Sequence, residues 1–429
     1  MKRRDLLKRT MLLGIAGLSL PTPRLYAAPF EGYAGRLLVN LQCDGGWDVT
    51  SFCDPKTNQP DQKEITQWSN SNDIQTAGNI QYAPLGKNQS FFDKHYQDML
   101  VINGVDMQTN SHTTGVLHNW SGRNAVGYPT LTALFAANNA PEQPLSYLNF
   151  GGYSQTADLI RYSRLKGVGS IIDVLQTTSI NNDDRPIRTE SDINRIRAFQ
   201  QEKTRRMLLE PATLNRHKVN LQAFNDALST KLNLSRLSGF LPDQSEMEGS
   251  VNLPKKLRSD LRDQVRLTIS GFESGLTSAS DLILGGFDSH NDNDEEQAIL
   301  LAHMTDAIRL FWQLAEERGL ADRITMVIGS DFGRTPHYNS ENGKDHWPIG
   351  SVIVIEKNAS WTNRRVGLTD EGHNAFSINP STLERDDRNG TIINPKHIHK
   401  ALRRHLGIEN SVVEQNLTFT DTEDFSFFT

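Results

Sequence analysis

Residues 324–347 read ITMVIGSDFGRTPHYNSENGKDHW, and the rest of the chain is best understood outward from them. Ile324 to Ile328 is a short apolar, partly β-branched run, the pattern of a strand buried on both faces. At its end stand Ser330, Asp331, Phe332, Gly333, Arg334 and Thr335, and ten residues beyond Thr335 come Asp345, His346 and Trp347. In open α/β sheets, ligands bind in the crevice at the carboxyl ends of the strands. A carboxylate there, an arginine beside it and an Asp-His pair on the following loop are metal- and anion-binding chemistry. Taken alone, the stretch also fits a structural role, in which Asp331 caps the next helix and His346 is an ordinary loop histidine.

Other segments repeat the arrangement. Arg36 to Gln42 predicts a strand, followed by Cys43-Asp44-Gly45-Gly46-Trp47-Asp48, where paired glycines let the backbone turn tightly. Met99 to Asn103 predicts a second strand, and Gly104 to Thr114 leads into a helix from about Gly115. Pro129 to Ala137 reads as a helix and Leu145 to Phe150 as a strand. Asp281 to Leu284 is a buried strand ending in Gly285-Gly286-Phe287-Asp288-Ser289-His290. Glu295 to Arg318 is an amphipathic helix, with Leu300, Met304, Ile308, Phe311 and Ala315 on one face. Ser351 to Ile355 is a further strand and His397 to Leu406 a late helix. Residues 57–90 are polar and read as loop. From Asp183 to about Lys256, apolar residues such as Ile193, Ile196, Phe199, Leu221, Phe224 and Leu228 recur at helical spacing, which reads as a helical insertion. Leu257 to Gly275 continues as helix. The alternation predicts an α/β fold, a three-layer sandwich around a largely parallel sheet.

The chain has 429 residues with a formal net charge of -6. Residues 1–28 resemble a twin-arginine signal peptide, with Arg3-Arg4, an apolar run from Met11 to Leu20 too short to span a bilayer, and small residues at Ala27-Ala28. Removing them takes away six basic residues and one acidic one and leaves -11 on residues 29–429. That balance argues against a nucleic-acid partner. No other segment reaches the length of a membrane span. The expected setting is periplasmic or extracellular, with the twin-arginine export machinery as a partner. Cys43 and Cys53 are the only cysteines, enough for one disulfide or for two free thiols and too few for a cysteine metal site.

Four strand ends thus carry polar clusters: Asp44/Asp48, Asn110-Ser111-His112-Thr113-Thr114, Asp288-Ser289-His290, and Asp331 with Asp345-His346. On one parallel sheet they can converge at one edge. Histidines and carboxylates without cysteine suit a divalent ion in a catalytic site, and the ion would offset repulsion among the carboxylates. Each cluster has a plainer use. Ser111 suits a helix N-cap, His118 a structural histidine, and Asp44 and Asp48 compete for one role. Asp288-Ser289-His290-Asn291-Asp292 starts like a calcium loop, but Asn293 stands where glycine is required and Ile299 where the closing glutamate is required.

GGWD with Asp54-Pro55-Lys56, Ser111-His112, GGFDSH, SDFGRTP and GKDHWP, in this order from about Arg36 to Gly407, resemble the exported family known as domain of unknown function 1501. That family is similar in fold to alkaline phosphatases, sulfatases and cofactor-independent phosphoglycerate mutases. It usually has Glu where this chain has Asp331. The resemblance implies that Asp288, His290 and His346 hold one metal. It implies that Asp44 or Asp48, Ser111 and Asp331 hold another, with Asp345 as a further candidate metal ligand and Ser111 as nucleophile. Phe332 stands where relatives in the wider superfamily have a ligand histidine. Cys53-Asp54-Pro55-Lys56-Thr57 approaches the sulfatase Cys-x-Pro-x-Arg motif but has Thr57 in place of the arginine.

The expected function is a metal-dependent hydrolase of phosphate or sulfate esters, using Zn, Mn, Mg or Ca. Ser111 and His112 would act at the reacting centre, and Arg334 would clamp the anionic group. The alternative is a non-catalytic exported binding protein with a degenerate metal site. A third reading, a polysaccharide substrate, comes from Trp47, Trp120 and Trp347 near the clusters.

Overall fold

The computed structural model of the chain describes residues 32–61, 63–70, 72–165, 189–229, 236–242, 246–247 and 261–429. Residues 1–28, where the signal peptide is expected, lie outside them, as do residues 183–188, residues 257–260 and parts of the expected insertion.

Twelve strands are present among the described residues: β1 (Leu37–Asp44), β2 (Gln75–Ala77), β3 (Ile80–Tyr82), β4 (Met99–Asp106), β5 (Tyr147–Asn149), β6 (Tyr162–Arg164), β7 (Ala279–Gly285), β8 (Ile324–Ser330), β9 (Gly333–Arg334), β10 (His346–Trp347), β11 (Ile349–Glu356) and β12 (Arg364–Val366). Eight of them form one sheet in the order β12-β4-β11-β8-β1-β7-β5-β6. β1 pairs in parallel with β7 and β8, and β5 pairs in parallel with β6 and β7. β11 is antiparallel to both β4 and β8. β11 can run backwards because it follows the short antiparallel ribbon β9–β10 instead of a crossover helix.

The strand sequences explain why helices cover both faces. Leu37, Val39, Leu41 and Cys43 of β1 pack into one apolar core, and Leu38 into the other. Met326 and Ile328 of β8 join the first core and Val327 the second; Ile353/Ile355 and Val352/Val354 divide β11 in the same way. Side chains alternate across a strand, so near-continuous apolar runs require cover on both sides. Helices Asn88–His95, Leu261–Glu273 and Asn293–Glu317 contribute to the first core, and Leu131–Asn139 and Pro395–His405 to the second. This is the expected α/β three-layer arrangement.

Local differences from the sequence reading have local causes. The helix expected from Gly115 begins at His112, because Ser111 is extended and already serves as its N-cap residue. Residues 57–90 contain the β2–β3 ribbon and the start of helix Asn88–His95, segments too short for periodicity to show. The expected insertion contains two helices, Glu190–Leu209 and Asn215–Ser229, packed against each other. Thr189 and Asp192 close a capping box at the start of the first. Cys43 and Cys53 are both buried free thiols, with the Cys43 Sγ directed at the Met304 Sδ 3.4 Å away.

Candidate metal centre

β1, β4, β7 and β8 all run in one direction, and their carboxyl ends deliver the polar clusters to one sheet edge. After β1, Gly45 and Gly46 adopt positive φ of 117° and 80°. A Cβ on Gly45 would stand 2.6 Å from the Asp288 amide nitrogen, so the turn admits only glycine there. The amides of Gly45 and Gly46 donate to the Asp331 Oδ1 at 3.2 and 2.6 Å, and the Ser330 hydroxyl donates to the same oxygen at 2.7 Å. The other oxygen of Asp331, Oδ2, holds the Nδ1 of His112 in a short hydrogen bond. Asp331 is buried, and both of its oxygens are engaged.

Around Asp288 the imidazoles converge. Its Oδ1 lies 3.1 Å from the His290 Nε2 and 3.2 Å from the His346 Nε2, and those two nitrogens are 3.1 Å apart. The Asp288 Oδ2 lies 3.5 Å from the His112 Nε2. The His112 Nε2 is buried without a hydrogen-bond partner. On each ring the far nitrogen faces an oxygen: Asp331 for His112, Asp345 for His290 at 3.2 Å, and the Asn110 carbonyl for His346 at 2.8 Å. A carbonyl or carboxylate acceptor fixes Nδ1 as the protonated nitrogen, which turns the Nε2 lone pair inward in the neutral ring. Phe332, fully buried, floors the cluster with its ring centre 4.7 Å from that of His112 and 4.5 Å from that of His346.

The donor set suits a divalent cation. Two nitrogens bound to zinc at ~2.0–2.1 Å in tetrahedral geometry stand ~3.3 Å apart, close to the 3.1 Å triangle of His290, His346 and Asp288. Without a cation, the two inward lone pairs at 3.1 Å repel unless a ring takes a second proton. His112, Asp288 and His346 also form a group whose ligand atoms lie within 4.8 Å of one another; His290, Asp44, Asp48, Asp331 and Asp345 stand outside that group, although the His290 Nε2 is 3.1 Å from both the Asp288 Oδ1 and the His346 Nε2.

Electrostatics follow from the contacts. Burial would raise the Asp288 carboxyl, but the hydrogen bond and charge of Arg334 outweigh it, and with His346 and His112 hold it at about 2. The hydrogen bond to Asp331 raises His112 against the opposing effect of burial. The hydrogen bond from Asn339, with His290 behind it, lowers Asp345.

Several expected residues serve elsewhere. Arg334 is corrected from an anion clamp to an internal brace. It is completely buried, its Nε donates to the Gly46 carbonyl at 2.8 Å, one Nη to the Lys344 carbonyl at 2.9 Å, and the other to the Gly45 carbonyl and, at 2.6 Å, to Asp288. That leaves no two-pronged face for an incoming anion.

Asp48 is likewise corrected from metal ligand to structural ion. It is fully buried, 2.8 Å from the Lys344 Nζ, and accepts from Thr50, Ser51 and Asn293. Burial would raise its carboxyl, but Lys344 and the hydroxyls hold it at about 2. Asp331, expected as a ligand, gives Oδ1 to the Gly45 and Gly46 amides and Oδ2 to His112, whose ring it orients.

Asp44 is exposed at the end of β1, and Ser111 is exposed beside His112. Asp345 is exposed and contacts the outer nitrogen of His290. Trp47 and Trp120 are buried in the interior, so of the three tryptophans only Trp347 is partly open, its indole N–H bonded to the His373 carbonyl. The Cys53–Thr57 segment contributes a buried Lys56–Asp54 pair at 2.9 Å, with Thr369 on the same carboxylate at 2.6 Å. The Asn110 carbonyl and Lys344 were not legible as site residues. A backbone acceptor leaves no residue signature, and the lysine is recognisable only once Asp48 is seen opposite it.

The fold and site together define an α/β sandwich with a histidine–carboxylate centre at the carboxyl edge of its sheet. Residues 36–371 match the family described as "Protein of unknown function (DUF1501)", and the chain belongs to it. None of the curated proteins compared with the chain matches it. Among solved structures it is similar to Ps i-CgsB in complex with a neocarrahexaose, at 6% identity over 92% of this chain and 76% of that one, TM-score 0.37. It is similar to the lipoteichoic acid synthase LtaP from Listeria monocytogenes at 9% identity, covering 88% of this chain and 73% of that one, TM-score 0.35. It is also similar to the alkaline phosphatase of the Antarctic bacterium TAB5 at 9% identity, covering 77% and 95%, TM-score 0.34.

Proposed function

We propose that the chain is an exported hydrolase of phosphate or sulfate esters that uses one divalent metal at the Asp288 cluster. The observation that carries the reading is the convergence of three imidazole Nε2 atoms on one carboxylate, with every Nδ1 tied to an oxygen. Asp288, His290 and His346 would hold the ion, with His112 beside it. Nitrogen donors favour zinc, and the mixed nitrogen–carboxylate set also admits manganese, over magnesium or calcium, which prefer all-oxygen shells. A bound ion would polarise an ester oxygen and stabilise charge developing on it.

The chain's own residues support that chemistry. Asp331 fixes the ring of His112, Asp345 that of His290, and the Asn110 carbonyl that of His346. Arg334 keeps Asp288 ionised and aimed inward. Ser111 presents its hydroxyl at the N-terminus of helix His112–Ser121, where backbone N–H groups favour an anion. The ester class comes from the motif resemblance, and export from residues 1–28. Among the described residues no helix is long and apolar enough to cross a membrane.

The test is hydrolysis of aryl phosphate and aryl sulfate esters by the chain loaded with zinc or manganese, against Asp288→Asn and Ser111→Ala. Turnover lost in both variants supports the reading with Ser111 as nucleophile. Turnover lost only in Asp288→Asn leaves water as nucleophile. Fully loaded protein inert on both ester classes favours the second reading, a non-catalytic binding protein, to which the inward-turned Asp331 already points.

A further inference from the structure

The helical pair Glu190–Leu209 and Asn215–Ser229 stands apart from the sheet. The two helices pack on each other and make only slight contact with any other helix or strand of the described residues. Ile193 and Thr204 are buried along the first helix. Around the turn the pattern inverts: Leu209 is 69% exposed, Leu214 54% and Met207 43%, and Phe199 is 62% exposed further down the first helix. A contiguous exposed apolar patch marks an interaction surface, and Met207, Leu209 and Leu214 fall within eight residues around one turn.

Charge accompanies them. Between Lys203 and Lys218 the sequence carries Lys203, Arg205, Arg206, Arg216 and Lys218 against the single acid Glu210, in a chain whose net charge is -6. Arg205 and Arg206 share one carboxylate, Glu202, at 2.9 and 3.6 Å, and exposed pairs of this kind contribute little. The tip is therefore apolar with basic shoulders, on an otherwise acidic molecule.

We propose that this hairpin tip docks the protein on an anionic lipid surface. Leu209, Leu214 and Met207 would enter the boundary between headgroups and acyl chains, while Lys203, Arg205, Arg206 and Arg216 meet the headgroup charge. A second copy of the chain fits less well. Stable protein contacts need roughly 800 Å² from each partner, more than two helix ends joined by a short turn offer. A fluid bilayer needs no complementary surface, and its anionic headgroups match the basic residues beside the turn.

The experiment is co-sedimentation of the full chain with phosphatidylcholine vesicles, with and without phosphatidylglycerol, comparing wild type, Leu209→Ser/Leu214→Ser and Lys203→Gln/Arg216→Gln. The N-terminal apolar run is common to all three proteins, so differences among them report the hairpin. Wild type should partition onto the anionic vesicles and detach as salt rises. The leucine variant should lose at least about tenfold in partitioning, and the charge variant about fivefold for each basic residue removed, on anionic vesicles only. Circular dichroism and melting show that each variant is folded. Equal binding by folded wild type and both variants overturns the proposal. So does self-association in the absence of vesicles that Leu209→Ser/Leu214→Ser abolishes, which would assign the tip to a second copy.

Discussion

Replacing Lys344 by Met tests the assignment of Asp48 to the framework. The Lys344 Nζ lies 2.8 Å from the Asp48 Oδ2 and 2.8 Å from the Thr50 Oγ1, with both side chains of the ion pair fully buried. Removing the lysine leaves a carboxylate in the interior with hydroxyl and amide donors but no counter-charge. Breaking a buried pair on one side costs ~3–5 kcal/mol. The pH dependence gives an independent measure. Asp48 sits at about 2 in the folded state, below the ordinary carboxylate value, so its contribution is present above about 4 and is lost as pH falls through about 2. A shift of that size corresponds to ~2–3 kcal/mol, below the cost of breaking the pair. Urea unfolding at pH 7 should therefore show Lys344→Met less stable by about 3–5 kcal/mol, and between pH 4 and 2 the variant should lose less further stability than wild type. Asp48→Asn should be destabilised too, yet bind metal as tightly as wild type wherever it is folded. A Lys344→Met protein within ~0.5 kcal/mol of wild type, or an Asp48→Asn protein that folds but no longer binds metal, would refute the framework role.

Two further outcomes follow from buried positions. Asp281 is enclosed, and although Tyr147, Thr132, Asn149 and Asn40 stabilise its charge, burial pushes it up to about 7. The folded carboxyl thus keeps a proton that the unfolded chain has lost; stability is greatest below about 4 and falls by roughly 4 kcal/mol as pH rises through about 7, and Asp281→Asn should flatten that slope in thermal unfolding. Gly115 packs so closely that a Cβ would stand 2.3 Å from the Asp331 carbonyl oxygen; Gly115→Ala should lose ~1–3 kcal/mol in urea unfolding and, by displacing His112 from Asp331, weaken metal binding as well.

Much of the sheet was legible because its strands are apolar on both faces. Runs such as Leu37–Leu41, Ile324–Ile328 and Val352–Ile355 fit no exposed element. The direction of β11 was not legible, since nothing in its residues separates a parallel strand from an antiparallel one; the short turn through β9 and β10 decides it. At the site, residue types and strand ends brought Asp288, His290, His346 and His112 to one edge. What the sequence could not convey was the rotation of each side chain. Asp331 reads as a ligand by position, but the amides of Gly45 and Gly46 draw it inward. Arg334 reads as an anion clamp by proximity, yet it is spent on three carbonyls and Asp288. These are choices among hydrogen-bond partners distant in sequence, settled by the Gly45-Gly46 turn. The short ribbon β2–β3 escaped notice for a simpler reason: three residues are too few to show alternation.

The proposed hydrolase depends on one divalent ion held where His112, His290 and His346 face Asp288. Metal content by atomic emission, measured on the gently purified chain and on His346→Ala, tests it most directly. A single zinc or manganese ion per wild-type chain is expected. In His346→Ala the affinity should fall by at least the ~10–100-fold attributed to changes one shell further out, and the sensitivity of melting to chelator should disappear with it. Wild-type protein that is metal-free, takes up neither zinc nor manganese, and melts identically with and without chelator would rule out a metal centre at Asp288.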